Sequence, residues 1–329
     1  MAGRPTNLAL LALVLLGLVT GVLSFAFGTE AATAVVIGHG VVGLGIVVLA
    51  PWKTTIVGRS LRRRGWRQGV SLALSAATVA AIATGLLHSS GTLLKIGTLS
   101  MMQLHVGSGA GVAALALVHF VMKPTRPRRV DFTRRNLLRG AAVLGLAGVG
   151  YATVEALYRV SDLPGGDRRF TGSHPVQSDQ PNGFPATQWL DDSVQHLDPG
   201  THRIEIAGVS YSMADFKTAD QVRAVLDCTG GWHVDRTWSG VRLDRLIGGA
   251  GGASLLVSSV TGYWRRFPLA DAGHLYLATH VDGELLSDGH GGPVRLVVPG
   301  RRGFHWVKWV ESVVVDDTPW WWQPPLPLT

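Results

Sequence analysis

The chain has 329 residues, is 47% hydrophobic and only 16% charged, and carries a single cysteine, Cys228. One cysteine excludes an intrachain disulfide, a four-thiolate zinc or iron–sulfur site and a Cys-x-x-Cys-His haem attachment. The net charge of +8 is split, with 15 Lys/Arg against 2 Asp/Glu in residues 1–150 and 15 against 20 in residues 151–329; the basic character therefore sits in short loops between apolar segments and does not mark a nucleic-acid surface.

Four apolar runs, near residues 8–27, 31–50, 69–88 and 101–122, are long enough to span a bilayer, and a fifth over 137–154 is shorter and rich in Gly and Ala. A span takes about 20 residues. The loop 51–68 holds Lys53, Arg59, Arg62, Arg63, Arg64 and Arg67, and the loop 123–139 holds Lys123, Arg126, Arg128, Arg129, Arg134, Arg135 and Arg139. The alternate loops hold only Glu30 and Lys95. The positive-inside rule predicts that the basic loops and Arg4 face the cytoplasm, so that everything after about residue 155 lies outside. The expected architecture is a multi-pass α-helical bundle of about five spans in the cell membrane, with lipid as its surroundings, followed by an extracytoplasmic domain. The expected divisions are 1–128, 129–158 and 159–329.

Spans one and two resemble spans three and four in layout. The second of each pair has a histidine toward its outer end, His39 or His105, then glycines, then a basic loop. Gly107 with Gly111, and the glycines around His39, read as helix-packing faces. Four histidines lie in or at the edge of spans: His39, His88, His105 and His119. Polar side chains are costly in lipid and are often functional. His105 and His119 fall within about 40° of one helix face and about 21 Å apart. His39, His88 and His105 all lie in the outer half, where one bis-histidine haem b is readily built. The layout resembles mono-haem or di-haem cytochrome b subunits, which implies haem ligation by these histidines.

Thr133-Arg134-Arg135-Asn136-Leu137-Leu138-Arg139 precedes the fifth run and resembles a twin-arginine export signal. Residues 155–200 read as a linker and an irregular wrapping segment. Strands are predicted over 202–209, 254–263, 274–281, 293–299 and 307–316, with a hairpin turn at Asp282-Gly283. Short helices fit 214–219 and 241–248. This is a mixed α+β domain of about 165 residues, large enough for its own core. Trp320-Trp321-Trp322 reads either as an interfacial anchor or as packing on the domain's own surface.

Cys228 ends an apolar run and opens a Gly230-Gly231 turn, followed by Trp238-Ser239-Gly240-Val241-Arg242-Leu243. Downstream stand Gly291-Gly292-Pro293-Val294-Arg295-Leu296-Val297-Val298-Pro299, and then Gly303 to Lys308. A thiolate at such a turn is a soft metal ligand, and the local cations suit an anion. These blocks, in this order, resemble the molybdopterin-binding domain of the sulfite oxidase family across about 170–317. The resemblance implies that Cys228 is the thiolate on molybdenum and that His290 and Arg295 contact the pterin. It further implies that Trp306, Val307 and Lys308 lie along the pterin or its phosphate, that Thr261 is a cofactor contact, and that Asn182 to Phe184 form an N-terminal contact segment. Two departures speak against sulfite as the expected substrate: the chain ends soon after Asp317, where sulfite oxidases go on to an immunoglobulin-like dimerisation domain, and the Arg-Asn-His segment of the sulfite pocket is not recognisable. This truncated layout looks more like the periplasmic methionine sulfoxide reductase catalytic subunits. The expected function is that of a membrane-bound molybdenum-dependent oxidoreductase acting on a small oxo-transfer substrate, with electrons exchanged through haem b and the quinone pool. The rival expectation is a non-catalytic quinone-linked cytochrome or envelope scaffold with a degenerate molybdopterin domain.

Overall fold

A computed structural model describes residues 3–60, 66–190, 192–216 and 219–327. Arg62, Arg63 and Arg64 of the first basic loop lie outside the described residues. The chain divides into two compact units, Met1–Phe25 with Glu30–His174, and Ala26–Thr29 with Pro175–Thr329.

The first unit is built from α1 (Arg4–Ala26), α2 (Thr33–Ser60), α3 (Trp66–Ser90), α4 (Met101–Met122) and α5 (Arg134–Val160), with a small hairpin, β1 (Lys95–Ile96) and β2 (Leu99–Ser100), before α4. These five helices are long and apolar enough to cross a membrane. Their sides stay apolar outward, with Val79, Leu117, Val121 and Val149 all exposed, as suits helices solvated by lipid. Local chemistry sets the starts. Ser100 caps α4 through the Gln103 N–H, and the Gln103 side chain returns to the Ser100 N–H, so two otherwise orphaned donors are satisfied. Thr133 caps α5. That helix includes Arg134 and Arg135 and runs on to Val160, past the expected start of the linker, because Ala and Leu continue through 152–157 without a breaker.

Within this unit α2 packs with α5 and α3 with α4. A Cβ on Gly40 would strike the Tyr151 ring at 2.5 Å, and one on Gly45 would meet Leu13 at 3.3 Å, so these glycines do serve close packing. Gly107 and Gly111 have nothing within 4 Å of such a Cβ. The expected small-residue face of α4 is therefore not a contact, since α4 meets its neighbours along other residues.

The second unit holds β3 (His174–Pro175, at the division), β4 (Arg203–Ile206), β5 (Val209–Ser212), β6 (Asp220–Cys228), β7 (Trp232–Arg242), β8 (Ser254–Ser259), β9 (Trp264–Pro268), β10 (Tyr276–Val281), β11 (Glu284–Leu285), β12 (Arg295–Val297) and β13 (Val310–Asp316). One sheet runs β11-β10-β7-β3 with β12 on β10 and β6 on β7; the other runs β5-β4-β13-β8-β9. Between them lies a core that includes Trp238, Leu255, Val257, Phe267, Leu277, Leu296 and Val313. The Asp282-Gly283 turn joins β10 to β11 with both residues at positive φ, 46° and 86°, which is the turn expected of that dipeptide.

Two expectations change. The short helix expected at 241–248 is a single 3-10 turn, Leu243–Arg245, and the described part of 214–219 holds the 3-10 turn Met213–Asp215, with residues 217–218 outside the described residues. The long β6–β7 ladder, from Asp220↔Gly240 to Cys228↔Trp232, had no predicted counterpart. Its alternation is blurred because Val225 and Asp227 interrupt the inward series Val222, Ala224, Leu226. The ladder also accounts for the Trp-x-Gly stretch: a Cβ on Gly240 would lie 1.9 Å from the Leu277 carbonyl oxygen, so only glycine lets β10 approach. Trp320, Trp321 and Trp322 are 40%, 60% and 69% exposed; packing on the domain's own surface leaves most of these indoles uncovered.

Candidate active site

Cys228 is the last residue of β6 and faces a cavity lined by Phe184, Thr187, Trp232, His290, Arg295, Trp306 and Lys308, among others. The turn places the Gly230 N–H 3.3 Å from Sγ. Burial pushes the Cys228 thiol up, while that N–H, Arg302 and Thr187 pull it down. Behind the thiol is a buried ion pair. Arg302 donates to Asp227 at 2.6 Å and to the Cys228 carbonyl at 3.3 Å; the two side chains are 1% and 5% exposed. A buried charge is tolerated where it is paired in this way.

Two further cations reach the cavity. Arg295, on β12, is 2% exposed. It donates to the His290 carbonyl at 2.9 Å and lies over the rings of Trp238 and Trp306 at 5.2 and 5.5 Å. Its Nε is buried with no hydrogen-bond partner, and burial lowers its pKa to about 9. Lys308 donates to the carbonyls of Thr187 at 3.0 Å and Gly289 at 2.6 Å. Burial, followed by Arg295, lowers its pKa to about 7. Among the described residues neither cation has a carboxylate partner in an ion pair. Buried positive charge without internal compensation, beside a buried thiol, fits an anionic group bearing soft-metal chemistry. A phosphate-bearing pterin that carries molybdenum meets that description.

His290 is placed by the single turn Asp288–His290, which ends at Gly291 with φ 97°. Its Nε2 donates to the Phe184 carbonyl at 2.8 Å, and Nδ1 lies 2.7 Å from the Ser287 hydroxyl. Burial lowers its pKa to about 4, so it is neutral and offers the cavity its ring rather than a nitrogen. Trp306 lines the cavity with its indole N–H on the Arg301 carbonyl at 3.2 Å. Val307 and Thr261 are not among the lining residues. Val307 is fully buried in the core, and Thr261 turns its hydroxyl to Ser259 at 3.1 Å. Of the segment 182–184, Phe184 lines the cavity, while Asn182 holds Leu285 and Ser287 by their backbone. The lining also includes Thr187 and Trp189, from the segment that reads as linker, Trp232 just after the glycine turn, and Tyr263 at the end of a predicted strand; of these only the aromatic residues carry a sequence signal.

In the helical unit, His39 on α2 and His105 on α4 face one another with ring centroids 5.8 Å apart and planes at 85°. The His39 Nδ1 is 3.1 Å from the Thr20 hydroxyl. The His105 Nδ1 is 2.7 Å from the Ala81 carbonyl. A Cβ on Gly21 would meet the His39 ring at 3.1 Å, and one on Gly85 would meet the His105 ring at 3.0 Å. Gly21 on α1 and Gly85 on α3 thus continue the internal repeat: each places a bare backbone against one ring, whereas the Nδ1 atoms meet different groups, the Thr20 hydroxyl for His39 and the Ala81 carbonyl for His105. With Nδ1 engaged on both rings, Nε2 is the atom that each histidine would offer to a metal. His88 and His119 are elsewhere. His88 bonds the Gly172 carbonyl at 3.0 Å and packs on His174 at 5.0 Å; His119 lies 3.3 Å from the Ser71 hydroxyl.

Residues 191–322 match the family model of the oxidoreductase molybdopterin binding domain. The putative protein-methionine-sulfoxide reductase subunit YedZ1 of Azospira oryzae is 26% identical over 149 residues, 41% of this chain and 57% of that protein. Mitochondrial sulfite oxidase of Homo sapiens is 29% identical over 166 residues, 37% of this chain and 30% of that protein. Among solved structures, the sulfane dehydrogenase SoxCD of Paracoccus pantotrophus aligns at 26% identity over 38% of this chain and 40% of that one, with a TM-score of 0.36. The chain thus spans 57% or less of the length of each of these relatives.

Proposed function

Because residues 191–322 belong to the oxidoreductase molybdopterin binding domain family, we propose that the chain is a membrane-bound molybdenum-dependent oxidoreductase that transfers an oxygen atom to or from a small molecule beside Cys228. The observation that carries this reading is one cavity joining the chain's only thiol to two cations, the buried Arg295 and the half-buried Lys308, that form no ion pair with a carboxylate among the described residues. When bound, the cofactor supplies the metal at which the oxygen atom is exchanged. Cys228 is the protein's ligand to that metal. Arg295 and Lys308 hold the polar and anionic parts of the pterin, and Trp306 flanks it. His290 keeps the loop closed on Phe184. The Arg302–Asp227 pair fixes the carbonyl and backbone behind the thiol.

In the helical unit, His39 and His105 would hold one haem b, which when bound would supply one-electron exchange with the quinone pool. The basic loops face the cytoplasm and the second unit faces outward. The Thr133–Arg139 segment serves as its export signal.

One sample tests both cofactors. The full chain, purified from a host able to make the cofactor, is expected to contain molybdenum and to show b-type bands after dithionite reduction. Cys228→Ser should lose the molybdenum and keep its secondary structure and haem bands. A folded protein free of molybdenum would overturn the oxidoreductase reading. A spectrum without b-type bands would overturn the haem assignment alone.

A further inference from the structure

The facing histidines have counterparts further along the same helices. Lys53 follows His39 on α2 by the same interval at which His119 follows His105 on α4. At about 100° and 1.5 Å per residue, that interval returns each helix to nearly the same face about 21 Å away. A second stacked haem would need a histidine at both positions, and α2 presents a lysine.

These positions gather a polar cluster from four helices. Lys53 donates to the Asn7 side-chain oxygen at 3.1 Å. Lys123 donates to the Ser71 hydroxyl at 3.3 Å, and Ser71 is 3.3 Å from the His119 Nδ1. Lys53 lies within electrostatic range of both Lys123 and His119. Among the described residues, no carboxylate forms an ion pair with either lysine. Asp131, in the adjoining segment, is held by Arg4 at 2.9 Å. Asn7 and Ser71 stand near the starts of their spans, and Lys53 and His119 near the ends of theirs. All four therefore lie at one face of the bundle, at headgroup depth, on the side of the two basic loops.

Two ammonium groups at one end of the bundle, with no acid paired to either among the described residues, repel each other and lose hydration. An anion between them removes both costs through charge-assisted hydrogen bonds, with Ser71 and His119 completing the polar surround. The abundant anion at that depth is the lipid phosphate, and basic pockets between helices on the cytoplasmic side suit such headgroups. We infer that Asn7, Lys53, Ser71, His119 and Lys123 form a site for the phosphate of an anionic lipid headgroup. This rests on the reading of the bundle as membrane-spanning and is independent of either cofactor.

The test is native mass spectrometry of the detergent-solubilised full chain titrated with dioleoylphosphatidylglycerol, dioleoylphosphatidylcholine or inorganic phosphate. The wild type should retain one phosphatidylglycerol at least tenfold more tightly than phosphatidylcholine, and inorganic phosphate at high concentration should displace it. Lys53→Gln with Lys123→Gln should abolish the preference, and Lys53→Arg with Lys123→Arg should restore it. Lys95→Gln, in the hairpin at the other end of α4, should leave it unchanged. Circular dichroism of each variant reports whether the helices persist. Equal retention of the two lipids by the wild type overturns the site, as does an undiminished preference in the helical glutamine variant. Binding of inorganic phosphate without any phosphatidylglycerol preference overturns the lipid as ligand.

Discussion

Arg302→Met removes the cation from a buried pair while keeping much of the side-chain volume. Asp227 then keeps a carboxylate in a site where its side chain is 5% exposed, and the Cys228 carbonyl loses a donor. Removing one partner of a buried ion pair costs about 3–5 kcal/mol. For a unit of this size each kcal/mol moves the melting midpoint by about 2–4 °C, so the midpoint should fall by about 6–20 °C. Cys228 provides the assay. It is the chain's only cysteine and is buried, so a maleimide dye labels the protein only when this unit opens. Labelling against temperature, in protein from a host that lacks the cofactor, reads the stability of the second unit even with the helical unit attached. The double variant Asp227→Asn with Arg302→Met removes both charges and should recover most of the loss. A midpoint within about 2 °C of wild type for Arg302→Met, against the fall expected from the buried-pair cost, would refute the claim that the pair stabilises the thiol's surroundings.

Three other outcomes follow from the same geometry. Gly291→Ala places a Cβ 2.9 Å from Lys308 at a φ of +97°, and should cost about 1–3 kcal/mol with a matching fall in the labelling midpoint. Gly85→Leu pushes on the His105 ring, where even a Cβ would come within 3.0 Å, and should abolish b-type bands with helix content intact; Gly107→Ala, with nothing within 4 Å, should leave them. Burial lowers His290 to about 4 and His305 to about 3, against about 6.5 when unfolded. Unfolding therefore takes up protons in acid: the stability is complete above about pH 6.5 and declines as pH falls toward 4. The labelling midpoint should drop across that window, and His290→Gln should flatten the slope; an unchanged slope in that variant would exclude His290 as a source.

The helices were legible because a bilayer imposes a length and a composition that survive without tertiary information. The strands β8, β10 and β13 and the Asp282-Gly283 turn were legible for a similar reason, since β-branched runs and turn residues act locally. The order of motifs around Cys228 brought Arg295, Trp306 and Lys308 to one cavity with it. What could not be read was mostly long-range. Arg302 meets Asp227 across 75 positions of sequence, and nothing near either residue signals the pairing. The glycines show the same limit. Gly107 and Gly111 carry the familiar spacing, yet a Cβ on either would meet nothing within 4 Å, whereas one on Gly21 or Gly85 would meet a histidine ring. A spacing rule identifies a smooth face on a helix, but only the neighbouring helix determines whether that face is used. The same holds for His88 and His119, polar groups in apolar runs whose partners turn out to be a backbone carbonyl and a serine.

The parallel pairing of β13 with β4, with Ser312 opposite Glu205 and Val313 opposite Ile206, has a consequence for the order of events in synthesis. A sheet whose middle strand comes last cannot close early: β13 also pairs along the length of β8, so the second sheet has no centre until residues 310–316 have left the ribosome. By then α5, which ends at Val160, has been available for about 150 residues of elongation, roughly 8–30 s at 5–20 residues per second. Such non-local pairing is also slow to form once the chain is free. The helical segments are therefore complete while the second unit is still an open chain. Closure of that unit comes as a separate and later folding event.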